Sequence, residues 1–303
     1  MFTYCSAKPL VAPFAFRFWD PVTDTQVRDD LNVTATPPIP YAQAVPAVRT
    51  PSGNYAFHGL PGLHDIEYPK DDHTPRTRRK ISLIIRVEDG QRRYLPFAFS
   101  FEEEVPLAPG ELWINEIFHG PALASPPGGG LPVIHLFSAP TRPVPPGMAA
   151  IRGSLTDHAR RKGASHAVLR VSVKGKDWVG MANERGDAVV CLPFPTPEPA
   201  FSSSSPPRPA PLQEWKLSVG IGYSPDSLNY LPAAPPGAPS AGEAGWPDLG
   251  SILKQQPALI WRDDPPTAGA VFEFSGHLAY GQELVLRTGS GSALLIDAAA
   301  TSP

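Results

Sequence analysis

Four tryptophans, Trp19, Trp178, Trp246 and Trp261, are the candidate surface aromatics of this chain. An indole offers a flat apolar face that stacks on a sugar and an N–H that needs a partner. Phe14, Phe16, Phe18, Tyr55 and Phe57 belong to the same aromatic set, but period-two spacing sends Phe14, Phe16 and Phe18 to one side of a strand, which reads as core. Trp19 stands at that strand's end. Other groupings are poorer in chemistry. His58 and His64, with Asp65 beside them, are separated by six positions across a Gly-Pro turn, which matches no recurring zinc spacing. Asp20, Asp24, Asp29 and Asp30 have the acidic density of a calcium loop without its regular oxygen spacing and closing Glu.

Nucleophilic and phosphate chemistry has no motif to rest on. Gly128-Gly129-Gly130 lacks the Lys-Ser/Thr of a phosphate loop, and no Gly-x-Ser-x-Gly elbow occurs. Asp and Glu are numerous enough for a glycosidase pair, whose separation only a fold can set. Glu102-Glu103-Glu104 reads as a charged surface. No catalytic, cofactor-binding or metal-binding residue is assigned, and the chain is expected to be no enzyme.

The elements that must carry these residues are strands. The chain has 303 residues, enough for two domains, with 40 Pro and 26 Gly. Proline fixes φ and removes a donor, which disfavours long helices and punctuates sheets. With 42 % apolar residues the chain still builds cores. A net charge of −3 and a pI near 6.2 give no general attraction to nucleic acid. Arg76-Thr77-Arg78-Arg79-Lys80 reads as a solvated loop. Cys191 lies in an apolar strand and Cys5 far from it in sequence, so a disulfide framework is not indicated and a reducing cytoplasm is expected. No signal peptide or membrane span is legible, and membrane insertion is not expected.

A pattern of alternation, turn and Leu-Pro occurs twice. The first copy holds the runs Phe14–Phe18 and Leu31–Ala35 and closes on Arg49–Pro61. The second holds Ala150–Asp157 and Ala167–Val173 and closes on Asn183–Pro193. Period-two alternation is that of a half-buried strand. The expectation is an all-β chain of two tandem Ig- or transthyretin-like β-sandwiches with long Pro-rich loops and one short helix. Residues 1–106 form the first sandwich. Residues 107–146 form a connector, in which Trp113–Phe118 should pack on a domain and Val133–Phe137 is a short strand. Residues 147–303 form the second sandwich.

Further elements follow from local signals. Ile81–Val87 and Arg92–Phe99 make a hairpin around Asp89-Gly90, and Pro96 points to a sheet edge. Pro247–Gln256 makes the helix, with Leu249, Ile252 and Leu253 on one face and Pro257 as its stop. Strands at Ala270–Phe274, Glu283–Arg287 and Ala293–Asp297 follow, the last two as a C-terminal hairpin. The loops Pro195–Pro211 and Leu231–Gly245 read as docking arms.

The second copy, with Gly153–Asp157, Ala167–Val173 and Asn183–Asp187, resembles the carboxypeptidase regulatory-like (transthyretin-like) domain. In place of that family's Thr-Asp-x-x-Gly hairpin it has Asn183-Glu184-Arg185-Gly186, and the first copy has Thr50-Pro51-Ser52-Gly53. Phe16–Pro21, Tyr55–Leu63 and Leu136–Arg142 resemble proteins encoded with phage-tail-like contractile injection systems. That resemblance implies a structural subunit of baseplate, spike or sheath, assembled in the cytoplasm. Its partners would be other subunits of the particle and copies of itself. A carbohydrate- or surface-binding module of adhesin type is the alternative, with the four tryptophans as its interaction residues, and an enzyme is the third.

Overall fold

The computed structural model describes residues 12–39, 42–68, 79–105, 133–196, 213–232, 245–263 and 269–299. The loops 197–212 and 233–244, Trp113–Phe118, Gly128–Gly130 and Cys5 lie outside them. The fold is all-β. Its first half contains β1 (Ala15–Asp20), β2 (Thr25–Gln26), β3 (Leu31–Thr36), β4 (Val45–Pro46), β5 (Val48–Arg49) and β6 (Tyr55–Ala56). A one-turn helix, α1 (His64–Glu67), precedes β7 (Arg79–Asp89), β8 (Phe97–Val105) and β9 (Val133–His135).

Two sheets face each other in this half. One joins β2, β1, β6 and β5, with β9 added parallel to β1; the other has the order β4-β3-β7-β8. The chain changes sheets between β4 and β5, at a kink that Pro46 permits. Alternation along β1 sends Phe16 and Phe18, with Phe14 just before it, inward. Their rings meet Phe57, Phe99, Phe101 and Tyr55, with centroids 4.7 Å apart for Phe14–Phe101 and 5.5 Å for Phe16–Phe99. The core is aromatic, and Phe14, Phe16 and Phe18 are unavailable as a stacking platform. Pro96 directly precedes β8, which is the last strand of its sheet.

The second half repeats the plan. It holds β10 (Met148–Asp157), β11 (Lys162–Gly163), β12 (Val168–Val173), β13 (Lys176–Met181), β14 (Asp187–Pro193) and β15 (Glu214–Gly222). After a 3-10 turn at Pro225–Ser227 come β16 (Tyr230–Leu231), β17 (Trp246–Pro247), α2 (Leu249–Leu253) and β18 (Leu259–Ile260). The last strands are β19 (Glu273–Ala279), β20 (Leu284–Leu286) and β21 (Leu294–Asp297). One sheet runs β13-β12-β15-β19. In the other, β10 pairs antiparallel with β14 and β11, and parallel with β20 and β21. So β1 and β10 hold similar places, each with two antiparallel partners and later parallel ones, β9 for β1 and both β20 and β21 for β10.

Three expectations need correction. The C-terminal strands are no hairpin, because both run parallel to β10 and lie end to end along it. Two strands pointing the same way cannot pair through a tight reversal. Instead Thr288 closes an arch around Gly289–Gly291, donating its N–H to the Ala293 carbonyl at 2.9 Å and accepting from Leu295 N–H at 2.8 Å. The strand expected at Ala270–Phe274 begins at Glu273. There is also more than one helix: α1 accompanies α2.

α2 is shorter than the expected helix and starts on Asp248, whose side chain accepts from Ser251 N–H at 2.9 Å. Its buried Leu249 and Ile252 join the core of the first half, together with Val168 and Met181 of the second. Among the described residues no helix is long and apolar enough to cross a membrane.

Candidate functional site: a cleft between the halves

The halves meet around Val22, Ala150, Val189 and Cys191, a small buried apolar cluster. Beside it opens a cavity of about 180 Å³. The turn after β1 supplies Trp19, Val22 and Asp24; the end of β9 supplies His135 through Ser138. β13 adds Asp177 and Trp178, and β14 adds Val189 through Cys191.

Local hydrogen bonds fix the first wall. Asp20, at the end of β1, accepts from Val22 N–H at 3.0 Å and from the Thr23 hydroxyl at 2.8 Å, an Asx turn that reverses the chain. Asp24 sits at φ 53°, which a short polar side chain tolerates. Its Oδ1 accepts the Trp19 indole N–H at 3.0 Å. The second wall is tied to the first by Arg142. Its guanidinium donates to both oxygens of Asp20, at 3.0 and 2.6 Å, and to the Ser138 hydroxyl at 3.0 Å. It also lies 5.0 Å from the centroid of the Tyr94 ring. Burial alone would raise the Asp20 pKa, but the hydrogen bonds and charge of Arg142 outweigh it and hold the carboxyl below its ordinary value.

The other polar groups differ in kind. Asp177 accepts from the Ser172 hydroxyl across the β12–β13 pair. His135 has a buried Nδ1 without a hydrogen-bond partner, and burial pushes its pKa down to about 4 despite the nearby Asp24. Burial pushes the Cys191 thiol up. A Cys–His pair works as nucleophile and base when the thiolate and imidazolium are favoured. Both shifts here oppose that state.

Of the four tryptophans, the fold brings Trp19 and Trp178 together on this cleft, both half-buried. Trp246 instead pairs with Leu231 in the β16–β17 ribbon. Trp261 is locked in the second sandwich, its indole N–H donating to Asp297 at 2.7 Å. No open face carries all four. The aspartates read as a possible calcium loop find separate partners: Asp20 takes Arg142, Asp29 takes Arg93, and Asp30 accepts from Gln91. Asp65 pairs with Arg79 at 3.0 Å, and His64 packs on Tyr68. His135 and Asp177 carry no local sequence signal as site residues, since His135 reads as part of a short strand and Asp177 belongs to no motif.

No protein-family profile matches the chain, and no curated protein sequence matches it. Among solved structures, the shaft pilin SpaA from Lactobacillus rhamnosus GG superposes with a TM-score of 0.23 at 8% identity, covering 96% of this chain and 99% of that one. The C-terminal fragment of the pilus adhesin SpaC from the same organism gives 0.21 at 9%, covering 96% and 100%. The Bacillus anthracis TIE protein gives 0.20 at 9%, covering 89% of this chain and 44% of that one. Likeness of this size assigns neither a family nor a function to the chain.

Proposed function

We propose that this protein is a non-enzymatic surface-binding module of two β-sandwiches, which takes a saccharide in the cleft between its halves. The observation that carries this reading is the convergence of Trp19 and Trp178 with two carboxylates and an imidazole on one small cavity. Sugar recognition asks for an aromatic face to cover C–H surfaces and for acceptors and donors to take the hydroxyls. Asp24 and Asp177 accept, and the His135 nitrogen left over from the buried Nδ1 completes the set. Titration of the protein with monosaccharides, followed by tryptophan fluorescence, tests this. Trp178→Ala should weaken binding about tenfold, equivalent to about 1.4 kcal/mol. A Trp19→Ala, Trp178→Ala double variant that folds by circular dichroism and binds as tightly as the wild type would sink the reading.

The second reading is a structural subunit of a contractile injection particle, assembled in the cytoplasm and acting through contacts with other subunits and copies of itself. Its support is the sequence resemblance together with one edge of the second sandwich. There β19 ends its sheet, and Phe272, Tyr280 and Val285 are each more than half exposed. Mass spectrometry of purified particles from the producing cell should detect the chain, and particles lacking it would exclude this role.

A further inference from the structure

We propose that the ligand of the cleft carries a positive charge, in the form of an organic ammonium group held between Trp19, Trp178 and the carboxylates of Asp24 and Asp177. The inference rests on the cleft being the binding site and adds a charge to its ligand.

Among the described residues, Asp24 and Asp177 are the only formally charged side chains that line the cavity. Each makes a hydrogen bond through Oδ1 to a neutral donor, the Trp19 indole and the Ser172 hydroxyl, and neither enters an ion pair among the described residues. The nearest buried cation behind the wall, Arg142, is already compensated by Asp20 at 2.6 Å. Lys176, next to Asp177 in β13, does not line the cavity. His135 is held neutral by burial, so it adds no opposing charge at neutral pH.

Two indoles and two carboxylates are complementary to an ammonium group, because the ring faces are the negative side of the aromatic quadrupole. A neutral sugar would use the carboxylates only as acceptors, whereas an ammonium group would also draw on their charge. The volume supports a small ligand as well. About 180 Å³ lies below the roughly 300 Å³ at which drug-sized sites begin, so the cleft suits one ring or one headgroup.

Organic ammonium groups reach a binding module from two sources, amino sugars and quaternary headgroups, and one experiment separates them. The full chain is titrated with glucosamine, N-acetylglucosamine, choline and 3,3-dimethyl-1-butanol, the last being the neutral isostere of choline. Tryptophan fluorescence is read at low and high salt. Each ammonium compound that binds should do so about tenfold more tightly than its neutral counterpart, and added salt should weaken it. Asp177→Asn, with circular dichroism unchanged, should remove most of that preference. N-acetylglucosamine binding as well as glucosamine would overturn the charge and leave the saccharide reading standing. Choline binding without either sugar would support the charge and overturn the saccharide. Binding of none of the four would overturn both.

Discussion

Asp20 and Arg142 are exposed by only 2 % and 8 %, and their ion pair joins the turn after β1 to the segment after β9. Two buried charges cost several kcal/mol each to desolvate, and their attraction offsets this only while every lone pair and N–H is used. Here both Asp20 oxygens take guanidinium bonds, with Val22 and Thr23 filling the remainder. Arg142→Ala should therefore destabilise the protein by about 3–5 kcal/mol in urea denaturation, because it strands a buried carboxylate. Acid should act through the same group. The folded pKa of Asp20 lies below its ordinary value of 3.8, so its contribution is complete above that value and is lost as pH falls through the lowered one. Wild type should lose stability below about pH 4, and Asp20→Asn, already less stable, should show a flatter acid limb. An identical pH dependence for both proteins would show that Asp20 does not titrate on unfolding.

At the scale of elements, the two copies share a turn. In the first, Thr50 N–H donates to the Asn54 carbonyl at 2.8 Å, Gly53 N–H donates to the Thr50 carbonyl, and the Thr50 hydroxyl accepts from Asn54 N–H. In the second, Asn183 N–H donates to the Asp187 carbonyl at 2.8 Å, Gly186 N–H donates to the Asn183 carbonyl, and the Asn183 side chain accepts from Asp187 N–H. Thr and Asn fill one role because each places an oxygen within reach of the backbone ahead. The glycines stand at φ 81° and 89°. The second turn is the tighter, since a Cβ on Gly186 would come within 2.2 Å of the Leu155 carbonyl oxygen. Gly186→Ala should thus cost more than about 1 kcal/mol, from strain and steric clash together. Gly53→Ala, whose nearest neighbour is the flexible Arg28 side chain, should cost less. Thermal melts of the two variants compare them directly, and equal losses would contradict the packing argument.

For the whole molecule, the consequence lies in where α2 puts its side chains. Leu249 and Ile252 follow the second half's strands in sequence yet belong to the aromatic core of the first. Gln255 locks the helix from the other side, donating to the His166 carbonyl at 2.7 Å and accepting from Ser224 N–H at 2.9 Å. The halves are coupled through this helix, so they should unfold in one transition. Ile252 is fully buried, and Ile252→Ala should destabilise the protein by about 2–5 kcal/mol. The measurement that decides is hydrogen exchange. Amides of β7 and β8 in the first half should lose protection along with those of β10 and β12. Faster exchange confined to the second half would mean that the sandwiches fold independently.

The strands β1, β3, β10, β12 and β14, the inward set Phe14, Phe16 and Phe18, the turns at Gly53 and Gly186 and a helix within Pro247–Gln256 were legible in the sequence. Each is specified by residues within a few positions of one another, through alternation, turn chemistry or a cap. Parallel pairing has no such local mark. The union of β9 with β1, and of β20 and β21 with β10, depends on which edge remains open after the antiparallel strands have formed. A Gly-Ser-Gly segment between two short strands therefore read as a hairpin, while the fold makes it an arch. The cleft belongs to the same class. Trp19 was legible as a strand-end aromatic and Trp178 as a surface candidate, but their meeting with His135 and Asp177 follows from the contact between the halves. Periodicity sets which way a side chain faces, and only the packing of one sandwich on the other decides what it faces.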